Sequence, residues 1–318
     1  MQFPQFFSLF IAIALSACTR AQDGQIVHSE PYIISPEILD KIESFAPDFR
    51  PRLDHLEFSK ITYLSDGLKV IGYTAQPSAN DMYPCIISNR GGNRDFGKWS
   101  EMGIAYFLGN MADWGYVVIA SQYRGVDGGE GVEEFGGKDV HDVLNLVPAL
   151  AQMTKADTSR IAIEGGSRGG MMTYLALRES CEFKAAAVVA GAANSFVNIE
   201  KRPSMETRVY AELIPNYYAD KQAQLEARSA VFWAEEMCPT TPLLIMHGSS
   251  DWRVLPEESM EVVQRLYKNQ HPVRFILFEG ADHGIREFRS EMFDAIRTHF
   301  DRYVRDGEPL PDMEPHGM

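Results

Sequence analysis

The feature that most constrains this chain is an alternation. Short apolar runs recur, each bounded by turn residues and separated from the next by a segment of helical period. The runs are "PCIIS", "YVVIA", "RIAIEG", "FKAAAVVAG", "PLLIMHG" and "VRFILFEG". Between or after them lie "EMGIAYFLGNMADWG", "DVHDVLNLVPALAQM", "RGGMMTYLALRES", "PEESMEVVQRLYKNQ" and "IREFRSEMFDAIRTHFDRYVR". A continuous apolar run of four to eight residues is what a strand buried on both faces requires. Strands alternating with helices pack as a mostly parallel sheet with helices on both faces, an α/β architecture. Two alternating segments upstream, "EFSKITYLS" and "LKVIGYTAQP", flank the turn "SDG" and predict an antiparallel hairpin at one sheet edge.

One segment breaks the rhythm. Residues 192–238 contain no strand pattern and are rich in Tyr, Glu and Arg. They read as a helical insertion over the C-terminal edge of the sheet, where open α/β sheets bind ligands. The catalytic-type domain is therefore expected over 57–305. Residues 19–56 are expected to be a polar tether with a short helix, and 306–318 a polar tail.

Residues 1–18 read as a targeting segment. "FFSLFIAIALSAC" is too short to span a bilayer comfortably and fits a secretory apolar core. Leu15-Ser16-Ala17-Cys18 resembles the lipobox of bacterial lipoproteins, whose cysteine is lipidated, although no Lys or Arg precedes the apolar run. That resemblance implies a lipid anchor at Cys18 and an outer-membrane lipoprotein facing the periplasm. Simple secretion after cleavage near Ala17 is the alternative. Three cysteines then remain, an odd number that cannot all pair, and Cys85 in "PCIIS" reads as a small buried hydrophobe. With 44 acidic against 30 basic residues and no basic stripe, nucleic acid is not an expected partner. No Cys-x-x-Cys or His-Glu-x-x-His occurs, so no metal site and no cofactor are expected.

"RIAIEGGSRGG" carries the chemistry. Gly165-Gly166-Ser167-Arg168-Gly169 fits Gly-x-Ser-x-Gly between a strand and a helix. This is the context of a nucleophile elbow, in which glycines let strand and helix approach closely. The bland alternative is a Gly/Ser turn. A serine hydroxyl is a poor nucleophile without a base. The elbow predicts the chain order Ser, acid, His at strand C-termini. Asp251 follows one strand in "HGSSDWRV", and His283 follows the next in "GADHGI". Asp282 is the rival acid, but adjacency usually prevents a side chain from bridging back to the ring, so Asp251 is preferred. His247 precedes the acid and reads as structural. Oxyanion donors are expected from the backbone N–H of Arg168 and from Gly91 in "SNRGGNRDFG", a stretch that equally fits a plain turn.

Together, "QYRG…GEGVEEFGGKDVHDV", "GGSRGG", "HGSSDWRV" and "GADHGI" resemble the α/β-hydrolase domain of the prolyl oligopeptidase family over roughly 57–305. The resemblance implies an α/β-hydrolase fold and serine peptidase chemistry, with Ser167, Asp251 and His283 as a triad. Two departures stand out. Members often carry Tyr or His where this chain has Arg90, which favours the Gly91 N–H as donor. The 38 residues between Cys18 and Glu57 are too few for the family's N-terminal β-propeller, so esters become possible substrates.

A carboxylesterase is therefore the alternative to a peptidase, and a non-catalytic binding protein on the same fold is a third reading. Arg90 is a candidate substrate contact. Tyr217 and Tyr218 in "NYYAD" either line a substrate pocket or form the core of the insertion. "RGVDGGEGVEEFGG" lacks the third glycine of a phosphate loop and reads as a loop feeding a helix, with Asp139 and Asp142 as first-turn acids.

Overall fold

In the computed structural model, which describes residues 22–317, the apolar runs become strands of one sheet. The strands are β1 (Ile26–Pro31), β2 (Leu56–Ser65), β3 (Leu68–Pro77), β4 (Tyr83–Asn89), β5 (Val117–Ser121), β6 (Ala156–Gly166), β7 (Ala185–Val189), β8 (Leu243–Gly248) and β9 (Val273–Phe278). Their order is β1-β2-β3-β5-β4-β6-β7-β8-β9. From β5 to β9 every pairing is parallel, while β1, β2 and β3 join antiparallel to one another and to β5. β4, β5 and β8 are buried along almost their whole length, which is why they show no alternation in sequence. The β2–β3 hairpin turns through Asp66 and Gly67, both at positive φ, as a two-residue turn matched to strand twist demands.

Helices cover both faces. On one, Val143, Met172, Leu175, Val262 and Leu266 pack against the sheet. On the other, Leu108, Met111, Trp114, Phe293 and Phe300 do so. The insertion leaves the C-terminal end of β7 and contributes the helices Ser195–Lys201 and Lys221–Ala227, with Tyr210, Tyr217 and Leu225 in the first of these cores. The helical, strand-free reading of 192–238 therefore holds.

The tether reading does not. Within 19–56, β1 pairs with β2, and the helices Pro36–Glu43 and Phe49–Leu53 bury Ile42, Phe49 and Leu53 against Ala105. The signal was weak because β1 is an edge strand exposed along nearly its whole length, so no apolar alternation marks it. The targeting segment and Cys18 lie outside the described residues.

Cys181 and Cys238 form a disulfide that ties the end of the helix Arg168–Glu179 to the end of the insertion, while Cys85 is free and fully buried. The bridge closes a loop with a sequence separation of 57. Constraint of the unfolded chain makes such a crosslink worth about 2–4 kcal/mol. Urea unfolding with and without reductant is expected to show a loss of that order, with native-state activity retained until unfolding begins.

Strand order reverses between β4 and β6: from β4 the chain moves outward to β5, then returns to β6 on β4's other side. A crevice opens at such a switch point beyond the strand C-termini. Gly91 lies just beyond the end of β4, and Ser167 just beyond the end of β6.

Candidate active site

Ser167 sits between β6 and the helix Arg168–Glu179 at φ 58° and ψ −123°. A non-glycine residue held there is strained, and such strain persists only where the surroundings over-determine it. The neighbouring glycines supply the constraint. A Cβ on Gly165 would lie 2.3 Å from the Gly169 carbonyl oxygen, and one on Gly169 would lie 2.0 Å from the Asn89 carbonyl oxygen. No side chain fits at either place, so strand, turn and helix meet with the serine hydroxyl raised above the sheet edge.

Gly91 approaches from β4. An ideal Cβ there would lie 3.3 Å from Ser167 Cβ and 3.9 Å from Ser167 Oγ, so its backbone lies against the serine. Neither the Gly91 nor the Arg168 backbone N–H donates to a protein acceptor among the described residues. Two backbone N–H groups without a protein acceptor thus lie next to the Ser167 residue, at the positive end of the Arg168–Glu179 helix dipole.

Asp251 and His283 come together from the loops after β8 and β9. His283 Nδ1 lies 2.6 Å from Asp251 Oδ2. Asp251 Oδ1 accepts the Arg253 and Val254 backbone N–H groups at 2.8 and 3.2 Å, which fixes the carboxylate plane. Burial by itself would raise this carboxyl, but hydrogen bonds from His247 and His283, the His283 charge and the Arg253 N–H outweigh it and hold Asp251 well below the usual range. Asp282 does not reach the ring: its Oδ1 caps the Gly284 N–H and its Oδ2 faces Arg286.

Ser167 and His283 line one cavity of about 380 Å³. Among the described residues, Ser167 Oγ makes no hydrogen bond to His283. In the absence of substrate such contacts are often long and tighten on binding.

His247 was expected to be structural, and it is also a partner of the acid. Its Nε2 lies 3.1 Å from Asp251 Oδ2 and 3.0 Å from the Val254 carbonyl oxygen, and its Nδ1 lies 2.7 Å from Ser259 Oγ. Two acceptors around Nε2 place the proton there, leaving Nδ1 to accept from the Ser259 hydroxyl. The short "HGSSD" spacing hinted at proximity to Asp251 but not at this contact.

Arg168 has a second role that sequence did not reveal. Its buried guanidinium pairs with Glu133 and Asp139, each at 2.5 Å, and stacks on Tyr123 and Phe135. Asp139 stands at the N-cap of the helix Val140–Leu144 and Asp142 in its first turn, as expected, but both carboxylates are buried and ion-paired. Asp142 is fully buried and binds Arg124 at 2.7 Å. The glycine-rich loop delivers buried carboxylates to the back of the elbow, and desolvated cations require such partners.

The expected substrate contacts fare differently. Arg90 lines the cavity, but its guanidinium donates to the Gln122, Gly91 and Arg94 carbonyl oxygens and is almost wholly buried, so it holds loops rather than offering a free charge. Tyr217 lies in the insertion core and meets Glu206, while Tyr218 is largely exposed, and neither lines the cavity. Their shared "NYYAD" context carried no information about which ring turns inward.

Comparison with known proteins places the chain in a family. Residues 99–306 match the model of the prolyl oligopeptidase family. The chain is 30% identical over 221 residues to the Bacillus subtilis protein called uncharacterized peptidase YtmA, covering 69% of this chain and 83% of that one. It is 28% identical over 227 residues to dipeptidyl aminopeptidase BIII of Pseudoxanthomonas mexicana, covering 64% of this chain but 31% of that one. Acylaminoacyl peptidase of Pyrococcus horikoshii shares the fold, with a TM-score of 0.70 at 23% identity, over 85% of this chain and 45% of that one. The chain thus spans less than half the length of the latter two. A strained serine at a strand–helix turn, an Asp–His pair at the adjoining strand ends and a family match that includes all three residues lead to one conclusion: the chain belongs to the prolyl oligopeptidase family of serine peptidases.

Proposed function

We propose that this chain hydrolyses peptide bonds through Ser167, His283 and Asp251. Ser167 Oγ attacks the scissile carbonyl carbon while His283 Nε2 takes its proton. The tetrahedral oxyanion is received by the Gly91 and Arg168 N–H groups, each such donor contributing ~3 kcal/mol to the transition state. His283 then gives the proton to the leaving amine as the C–N bond breaks. Water, deprotonated by the same imidazole, hydrolyses the acyl-enzyme and restores Ser167. Asp251 keeps the Nδ1–H tautomer and stabilises the imidazolium.

The observation that carries this reading is the 2.6 Å bond from Asp251 to His283, which lines the same cavity as Ser167. Relatives named as peptidases support peptide substrates. A carboxylesterase is the second reading, favoured by the apolar wall of that cavity, which would receive an ester's acyl chain equally well. The purified protein, with Ser167→Ala as blank, is to be assayed on p-nitrophenyl esters and peptide p-nitroanilides. The expected result is serine-dependent turnover of anilides. Turnover confined to esters would establish the esterase instead, and silence on both panels would sink the triad.

Export belongs to the same proposal. The N-terminal segment would carry the protein across the inner membrane and Cys18 would anchor it by lipid in the periplasm. The Cys181–Cys238 bridge supports this, because structural disulfides persist in oxidising compartments.

A further inference from the structure

The cavity beside Ser167 does not end at the nucleophile. It runs down the face of the sheet between β6 and the helix Arg289–Phe300, walled by Phe107, Met111, Met292, Phe293 and Ile296. In this apolar wall stands one carboxyl group, Glu164. It lies on β6 three residues before Ser167, and its register partner on β4 is Ser88.

The Ser88 hydroxyl donates to Glu164 Oε1. Among the described residues, no group donates to Oε2, and the side chain keeps some open surface even though the strand is interior to the sheet. That surface faces the cavity, of which Glu164 is a lining residue. Four groups that can carry positive charge line the same cavity: Arg90, Lys98, His283 and Arg289. Lys98 pairs with Asp95, Arg289 donates to the Gly284 carbonyl oxygen, and His283 is held by Asp251. None compensates Glu164. Burial pushes its carboxyl up to about 7, and only the Ser88 hydroxyl pulls against that. A carboxyl in an apolar recess without a counter-ion is a costly feature to retain unless something charged or hydrogen-bonding is brought to it.

An occupant has to satisfy both parts: methylenes along the aromatic and aliphatic wall, and a donor at the carboxyl. A purely apolar group would leave Oε2 unmatched, and a small polar group would leave the wall wet. A cation arriving at this depth would favour the ionised carboxylate, which here costs little to form near neutral pH.

We infer that this cavity is a subsite for a substrate side chain with an aliphatic stem and a terminal amine, and that Glu164 is its counter-ion. The word substrate rests on the catalytic reading of Ser167; the amine site itself does not, so binding and catalysis are tested apart. Calorimetric titration at pH 8 compares n-hexylammonium with its neutral isostere 1-methoxypentane. Wild-type protein is expected to bind the ammonium at least tenfold more tightly, and Glu164→Gln to abolish that preference. Occupancy should also slow fluorophosphonate labelling of Ser167 in the wild type, a second readout that stands if Glu164→Gln does not fold. No preference for the ammonium, or a preference that survives in Glu164→Gln, overturns the inference and leaves Glu164 a buried carboxyl partnered by Ser88 alone. Failure of Ser167 to label at all counts against the catalytic reading, while tenfold ammonium selectivity would still establish the amine site.

Discussion

Ser167→Ala is expected to lower kcat/KM by about 10⁶-fold, the scale on which removal of a serine nucleophile acts. The elbow presents a single hydroxyl where the Gly91 backbone comes within contact of the Ser167 side chain. On the proposed mechanism, what remains after the substitution is binding and the oxyanion donors, which alone sustain about 10³–10⁴-fold over water. Stability should change little, since alanine keeps the Cβ and loses only a hydroxyl. The strained φ of 58° stays, because the glycines around the turn impose it. Turnover on the preferred panel, with melting temperature as a control for folding, checks both parts. Residual activity within tenfold of wild type would mean that another nucleophile acts.

Asp251→Asn is expected to cost about 10⁴-fold, for a reason visible in the bonding of the carboxylate. Oδ1 is held by two backbone N–H groups and must remain an oxygen. The new amide NH₂ would therefore replace Oδ2 and point at both His283 Nδ1 and His247 Nε2. A donor facing His283 Nδ1 forces the proton onto Nε2, the atom that accepts from Ser167 in the proposed mechanism. The same NH₂ meets the His247 Nε2–H donor to donor, so stability should fall as well.

The pH dependence follows in sign. Asp251 is held below its unfolded value of about 3.9. In the wild type it therefore contributes stability that is fully present above about pH 4 and is lost as pH falls towards the folded pKa. Asp251→Asn should lack that part of the acid limb. Denaturation curves from about pH 2 to 6, paired with kcat/KM at pH 8, check the two effects independently.

Features set by neighbouring residues are legible in the chain, whereas those set by remote ones are not. Period and turn residues marked the hairpin at Asp66-Gly67, all the parallel strands, the strand-free insertion and the elbow. Each of these is a local consequence of burial or backbone geometry. The order of Ser167, Asp251 and His283 was equally legible, because each follows a strand and parallel strands deliver their C-termini to one edge. Strand β1 was not legible, since an exposed edge strand needs no apolar alternation.

Pairings between remote residues were also silent. Nothing near Cys181 points to Cys238, nothing near Arg168 points to Glu133 and Asp139, and His247 became the acid's second partner only when β8 and its loop folded over. Glu164 is the sharpest instance. In "RIAIEG" it looks like the polar end of a strand, and only the packing of Phe293, Ile296 and Met111 across the sheet face makes it a solitary carboxyl in an apolar recess. Local pattern records whether a residue is buried. What it is buried against is settled by contacts between segments far apart in sequence, and those contacts decide whether a buried charge is neutralised, shared or left for a ligand.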